Sequence, residues 1–292
     1  MSSLHIENDR IALTTDNPAG QMISLIDRKH GNEILYQADE AWSGRNPSLF
    51  PMVGGTWKNG EYEWEGKTYA MKNHGLIRYE DLNGVVNEDG QSITYTFDSN
   101  DETRSKYPFD FHFEMTYRLL EKGVRISYAI TNTGDVSMPF SFGLHPAFKT
   151  VRADGEKFED FSIHFAPVAE AEQIVFQPDP SPVVREKKVL DTWNLSHDDL
   201  RKYATLIFDK ISANTATLYY KDQPRVKVSF LDFPLVALWN SGDGNNFICI
   251  EPWFGHSDLE KVEVPFDKRE NTMLLEPAET FNCYYEIETM ED

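Results

Sequence analysis

Between Phe111 and Ile130 the chain changes character at every residue. Phe111, Phe113, Met115, Tyr117 and Leu119 alternate with His112, Glu114, Thr116 and Arg118. After a Glu-Lys-Gly turn, Val124, Ile126, Tyr128 and Ile130 resume the alternation. A period of two sends successive side chains to opposite faces, so the two runs predict an antiparallel pair with one buried face. His112 falls on the polar face, where it is expected to be solvated or paired rather than catalytic.

Shorter runs of the same kind fill the rest of the chain. Ile6–Thr15 and Met22–Tyr36 are broken by Asp-Asn-Pro and Lys-His-Gly-Asn, both turn compositions. Trp42–Pro51 is too rich in Gly and Pro for a regular element, and Tyr62–Tyr69 reads as a hairpin with Glu-Gly-Lys at its tip. Phe161–Phe165 is followed by an irregular, proline-containing run, Gln177–Val184. Strand patterns return at Leu206–Phe208, Thr217–Tyr220, Val226–Phe230, Leu235–Trp239, Asn246–Glu251, Met273–Leu275 and Phe281–Ile287. Ser196–Lys202, with Ser196 as N-cap, is the one good short helix. No helical patterns of a dozen residues separate the strands, which disfavours α/β. The expectation is an all-β protein, a large antiparallel β-sandwich forming a single domain over residues 1–292.

With 292 residues, 40% hydrophobic and 13% aromatic, the chain can bury a sizeable core. A formal charge of −20 with no basic patch argues against nucleic acid as a partner. Met1–Arg10 lacks the features of a signal peptide, and no apolar run has the length of a membrane span, so a cytoplasmic protein with no membrane partner is expected. Cys249 and Cys283 lie in strand-like runs at no metal-binding spacing and are expected to be reduced. Histidines are not spaced as zinc ligands either, so no dedicated metal site is expected.

Nucleophile elbows, P-loops and dinucleotide fingerprints are missing from the sequence. What remains is acid–base chemistry. His145 stands in Ser141-Phe142-Gly143-Leu144-His145-Pro146-Ala147-Phe148, where the proline disfavours helix and removes an N–H, so the imidazole ends or leaves a strand. It is either presented to a cleft or satisfied in the core between Phe142 and Phe148. His74, between Asn73 and Gly75, is either a solvated turn residue or a site residue. Glu251 follows Phe247-Ile248-Cys249-Ile250 and precedes Pro252-Trp253-Phe254. A carboxyl in such company is half of a salt bridge or a general base whose pKa desolvation has raised. Arg45 and Arg78 are nearby fixed cations. Trp42, Trp57, Trp64, Trp239 and Trp253 lie close to these segments and offer flat faces on which sugar C–H surfaces can stack.

Taken in order, Arg45-Asn46-Pro47 with Leu49-Phe50-Pro51, Asn73-His74-Gly75-Leu76-Ile77-Arg78, Gly143-Leu144-His145-Pro146-Ala147-Phe148 and Cys249-Ile250-Glu251-Pro252-Trp253 resemble the aldose 1-epimerase (galactose mutarotase) family, closest to its shorter LacX-like branch. The resemblance runs from about residue 40 to residue 280. It implies a single-domain antiparallel β-sandwich that interconverts the anomers of an aldose without cofactor or metal. It also implies that His145 is the acid that protonates the ring oxygen and Glu251 the base that takes the anomeric proton. His74 would assist as a third catalytic-site residue. Arg45, Asn73, Arg78, Trp239 and Trp253 would contact the sugar. The partner would be a free sugar or a sugar phosphate, and the protein a monomer or homodimer.

Two departures bear on substrate. The family's substrate-binding aspartate should fall near Lys202–Asp209, where Tyr203, or less well Asp209, stands for it. Arg78, four residues after His74, resembles the His-Gly-x-x-Arg pattern of hexose-6-phosphate mutarotases, and an Arg fork suits phosphate; it could equally be a surface ion-pair partner for Glu80 or Asp81. A non-catalytic sugar-binding protein is the alternative from another class. A glycoside hydrolase ranks last, because it needs two carboxylates and Glu276, the only second candidate, reads as a turn residue.

Overall fold

A computed structural model describes residues 3–40, 42–56, 60–175, 183–242, 244–258 and 265–291. Trp57 and most of the Gln177–Val184 run lie outside the described residues. The fold is an antiparallel β-sandwich. Its main ladder has 15 strands, of which Ala147–Lys149 and Val184–Asn194 pair off the main path, on Phe247–Phe254 and Phe161–Val175. The path reads, from one edge, Ser48–Leu49, Phe142–Leu144, Phe247–Phe254, Leu235–Trp239, Leu206–Asp209 and Phe161–Val175. It continues through Thr215–Tyr220, Gln223–Ser229, Thr280–Thr289, Gly123–Asn132, Phe111–Leu120, Ser92–Asp98 and Asn83–Val86. A four-stranded sheet is built from Leu4–Glu7, Ile11–Asp16, Gln21–Asp27 and Asn32–Glu33.

The hairpin expected at Phe111–Ile130 forms over its full length, in register from Phe111 opposite Asn132 to Leu120 opposite Gly123. Its alternation is realised as Phe111, Phe113, Met115, Tyr117, Val124, Ile126 and Ile130 turned inward. His112 pairs with Asp98 at 2.8 Å on the outer face. Phe161–Val175 joins the two halves of the ladder. Its first residues pair with Thr215–Tyr220, and Glu172–Ile174 pair with Leu206–Asp209 on the same edge. One core cluster takes inward residues from both halves, among them Phe113, Ile126 and Ile287 with Phe208, Leu238 and Ile250.

Side-chain caps set the starts of both described α-helices. Ser196 caps His197–Tyr203 by accepting from the Asp199 N–H at 3.3 Å. A second helix, Asp101–Lys106, was not expected from the sequence. Asn100 caps it by accepting from the N–H groups of Glu102 and Thr103, while the Thr103 hydroxyl accepts from the Asn100 N–H. The sequence reading was also too short at Phe161–Phe165, which is the start of a fifteen-residue strand paired with Val184–Asn194. Alternation fails inside it because Ala166, Pro167 and Val168 are exposed where the pairing breaks between His164 and Ala169. Among the described residues no helix is long and apolar enough to cross a membrane.

Candidate active site

His145 and Glu251 face each other because of one strand register. Phe142 pairs with Phe254, Gly143 with Trp253, Ala147 with Cys249 and Phe148 with Ile248. The same register carries straight through the gap, placing His145 opposite Glu251. The ladder opens there because Pro146 and Pro252 have no N–H to give, and a bond across it runs from the Ile250 N–H to the Pro146 carbonyl at 3.2 Å. Side chains alternate across this corner. Phe142, Leu144, Phe148, Ile248 and Ile250 enter the main core, while His145, Cys249, Glu251 and Trp253 turn to the other face. Gly143 leaves room for Trp253: a Cβ there would lie 2.5 Å from the indole.

The result is a buried imidazole–carboxyl pair. His145 Nε2 lies 3.5 Å from Glu251 Oε2, with His145 6% and Glu251 1% exposed. His145 Nδ1 and Glu251 Oε2 are buried without a hydrogen-bond partner. Desolvation pushes Glu251 well above the usual carboxylate range, against the opposing pull of the Arg78 charge and the Trp253 indole. Desolvation likewise pushes His145 well below its usual value, helped by His74 and Arg78. Both groups are thus driven towards their neutral forms, a state in which the pair holds one proton.

His74 comes from a separate segment. Phe50 bridges to Gly75, and the Phe50 carbonyl accepts from the N–H groups of Leu76 and Ile77. Gly75 must be glycine, because its φ is +81° and a Cβ would meet the Phe50 carbonyl oxygen at 2.3 Å. His74 itself sits in the left-handed region at φ 67°, with its N–H on the Gly54 carbonyl. In return the Gly54 N–H donates to His74 Nδ1 at 3.1 Å. An acceptor Nδ1 requires the neutral tautomer with its proton on Nε2. Burial and the Arg78 charge agree, holding the His74 pKa down at about 3. His74 is therefore a fixed donor, its ring edge-on to His145 with centroids 5.5 Å apart. Arg78 follows in the turn Ile77–Tyr79. It makes no ion pair with Glu80, Asp81 or any other described carboxylate.

These groups line one cavity of about 360 Å³, within the range of small-molecule sites. Asn73, His74, Arg78, His145, Trp239, Glu251 and Trp253 all border it. Trp42 stacks on His145 at 5.1 Å, and Trp239 meets the same ring edge-on at 5.4 Å. Trp253 is largely a wall residue, its indole N–H already given to the Leu144 carbonyl at 3.2 Å. Trp64 belongs elsewhere, packed on Phe109.

Other expectations need correction. Arg45 does not line the cavity: its guanidinium donates to the Ile23 carbonyl at 3.3 Å, and the indole of Trp42 occupies the space over His145. Neither Tyr203 nor Asp209 reaches the site. Tyr203 accepts from Lys202 at 2.9 Å, and Asp209 is buried against Arg185 at 2.6 Å. Thr205 and Ile207 are the lining residues from that stretch, joined by Gly54, Gly55 and Ser257, none of which the sequence had marked. Strand alternation could have found Ile207, since Asp209 and Thr205 flank it at two-residue spacing. Glu276 is an exposed turn residue that accepts from the Ser137 hydroxyl at 3.0 Å, as expected.

Comparison with known proteins agrees with the fold. The sequence profile of the family described as Aldose 1-epimerase matches residues 5–265. The chain is 30% identical over 304 aligned positions to the chromosomally encoded protein LacX of Lactococcus lactis subsp. lactis, covering 98% of each. Among solved structures it resembles a galactose mutarotase related enzyme from Lactobacillus acidophilus, with a TM-score of 0.90 and 27% identity over 99% of this chain and 98% of that one. A galactose mutarotase-like protein from Lactobacillus casei ATCC 334 superposes with a TM-score of 0.88 at 25% identity, covering 99% of this chain and all of the other.

Proposed function

The chain belongs to the aldose 1-epimerase family, and from that premise we propose that it is a mutarotase, with Glu251 and His145 as its base and acid. The observation that carries this reading is the 3.5 Å contact between the two groups inside a cavity whose described lining holds no second carboxyl. Mutarotation acts on two oxygens bonded to one carbon, so its acid and base must stand side by side. Glycoside hydrolysis instead wants two carboxyls about 5 Å or more apart.

With a pyranose bound, the Glu251 carboxylate takes the proton from the anomeric hydroxyl. The C1–O1 double bond forms as the C1–O5 bond breaks, and His145 delivers its proton to O5. Rotation about C1–C2 turns the other aldehyde face to O5, and the two transfers run backwards to give the other anomer. Proton and electron counts are unchanged over the cycle. The pair carries one proton throughout, as imidazolium and carboxylate with the closed ring and as two neutral groups with the open chain. Desolvation favours the neutral arrangement, which lowers the cost of the open-chain state. His74, held as an Nε2 donor, orients the sugar, Asn73 and Arg78 contact its hydroxyls, and Trp239 and Trp253 wall its apolar faces.

Arg78 supports a second reading, an aldose 6-phosphate as substrate. It is a guanidinium at the cavity wall with no carboxylate partner among the described residues, and its fork matches a phosphate. Polarimetry of freshly dissolved α-D-glucose, α-D-galactose and their 6-phosphates tests both, in matched buffer with and without protein. Faster equilibration of a free sugar supports the first reading, and acceleration confined to a 6-phosphate supports the second. No acceleration of any of the four, with sugar still bound, would leave a non-catalytic binding protein.

A further inference from the structure

The strand register that makes the acid–base pair also brings a thiol to it. Cys249 stands two residues before Glu251 on the same face of Phe247–Phe254, and its cross-strand neighbour Ala147 stands two residues after His145. One ligand atom each from His145, Cys249 and Glu251 therefore lie within 4.8 Å of one another, and all three residues are buried. No spacing in the sequence announces this trio, because its members arrive across a strand pair rather than along a helix. We propose that His145, Cys249 and Glu251 form a site for a soft divalent cation, Zn²⁺ above all, and that its occupation switches the acid–base pair off. The inhibitory half rests on the mutarotase reading; the binding half does not.

The donor set is the borderline-soft mixture that zinc selects: thiolate, imidazole and carboxylate. Tetrahedral zinc bonds of about 2.0–2.3 Å put neighbouring ligand atoms about 3.3–3.6 Å apart, so small side-chain rotations from the present separations close the site. Independent of that geometry, His145 Nδ1 and Glu251 Oε2 are buried polar atoms with no partner. Charge also fits a dry cavity. Zn²⁺ with one thiolate, one carboxylate and one neutral imidazole sums to zero, and the cavity side offers a fourth position for water. Binding releases the thiol proton and any carboxyl proton to solvent, with no redox change. Arg78 opposes the cation by like charge, which limits affinity. The other trio with ligand atoms this close among the described residues, Asp27, His30 and Glu291, has its carboxylates taken by Arg10, Arg152 and Arg225. It is an ion-pair network, not a metal site.

Metal-stripped protein would be titrated with Co²⁺ and, separately, assayed for mutarotation against Zn²⁺, using wild type and Cys249→Ala. The wild type should show a near-ultraviolet thiolate-to-cobalt charge-transfer band that the variant lacks. Zn²⁺ should inhibit the wild type, chelator should reverse it, and the variant should need more than about tenfold more Zn²⁺. Cys249→Ser, closer in size, repeats the comparison if the alanine variant loses its native circular dichroism. A wild type without the cobalt band, or equal Zn²⁺ sensitivity of wild type and variant, overturns the proposal. Should the protein show no mutarotation at all, the band and its loss in the variant still decide whether the metal site exists.

Discussion

Two buried carboxyls in this molecule, Asp27 and Glu251, each face a histidine yet behave in opposite ways. At the junction of the Gln21–Asp27 strand and the chain's last strand, Asp27 is 0% exposed yet fully partnered. It accepts from Arg10 Nη2 at 3.1 Å, from His30 at 3.0 Å, from the Thr289 hydroxyl at 2.9 Å and from the Lys29 N–H at 3.1 Å. Desolvation alone would raise its pKa, but the bonds from His30 and Thr289 and the Arg10 charge overcome it and leave the carboxyl below its usual value. At the cavity, Glu251 is as deeply buried and has an unpartnered oxygen and one imidazole at 3.5 Å. Its pKa moves up instead. Burial with partners fixes a charge and makes a structural tie, whereas burial without them leaves a group poised to exchange a proton.

Removing each carboxylate in turn should separate these roles. Glu251→Gln is expected to cut turnover by about 10²–10⁴-fold while keeping the fold. Because the folded pKa of Glu251 is raised, its ionisation works against folding as pH rises above the unfolded value. The Gln variant should therefore gain stability relative to wild type from mildly acidic to alkaline pH, measured by urea unfolding. Asp27→Asn should do the reverse, keeping turnover and losing about 3 kcal/mol, since it strands Arg10 without its partner. Its wild-type contribution is present above the unfolded pKa and fades as pH falls through the lower folded one.

Smaller effects sharpen the contrast. Arg78 lowers the proton affinity of both Glu251 and His145. Arg78→Met should therefore move both limbs of the kcat/KM pH profile to higher pH, whatever it does to the maximum. His74, held neutral with a pKa of about 3, costs stability as pH falls from 6.5, because the unfolded chain takes a proton that the folded one refuses. His74→Gln should flatten that acid slope in unfolding curves collected between those limits.

Much of this was legible in the residues. The hairpin at Phe111–Ile130, the Ser196 cap and the corner at His145-Pro146 follow from period, capping chemistry and the missing proline N–H. Glu251 stood out as a carboxyl in an apolar run. Hidden from the sequence was everything that depends on register between distant strands: that His145 lies opposite Glu251, that Cys249 joins them, and that Thr205 and Ile207 rather than Tyr203 or Asp209 face the cavity. Arg45 illustrates the same limit. Its motif resembles the family's, yet its guanidinium is held on the Ile23 carbonyl.

The most direct measurement takes one preparation of Glu251→Gln beside wild type and records two quantities on each. One is the polarimetric rate with whichever aldose wild type accelerates; the other is binding of that sugar, read by tryptophan fluorescence through Trp42 and Trp239. If Glu251 is the base, the variant binds with affinity close to wild type while its rate falls to that of buffer. A variant that binds the sugar and still turns it over at the wild-type rate would contradict the assignment of the His145–Glu251 pair.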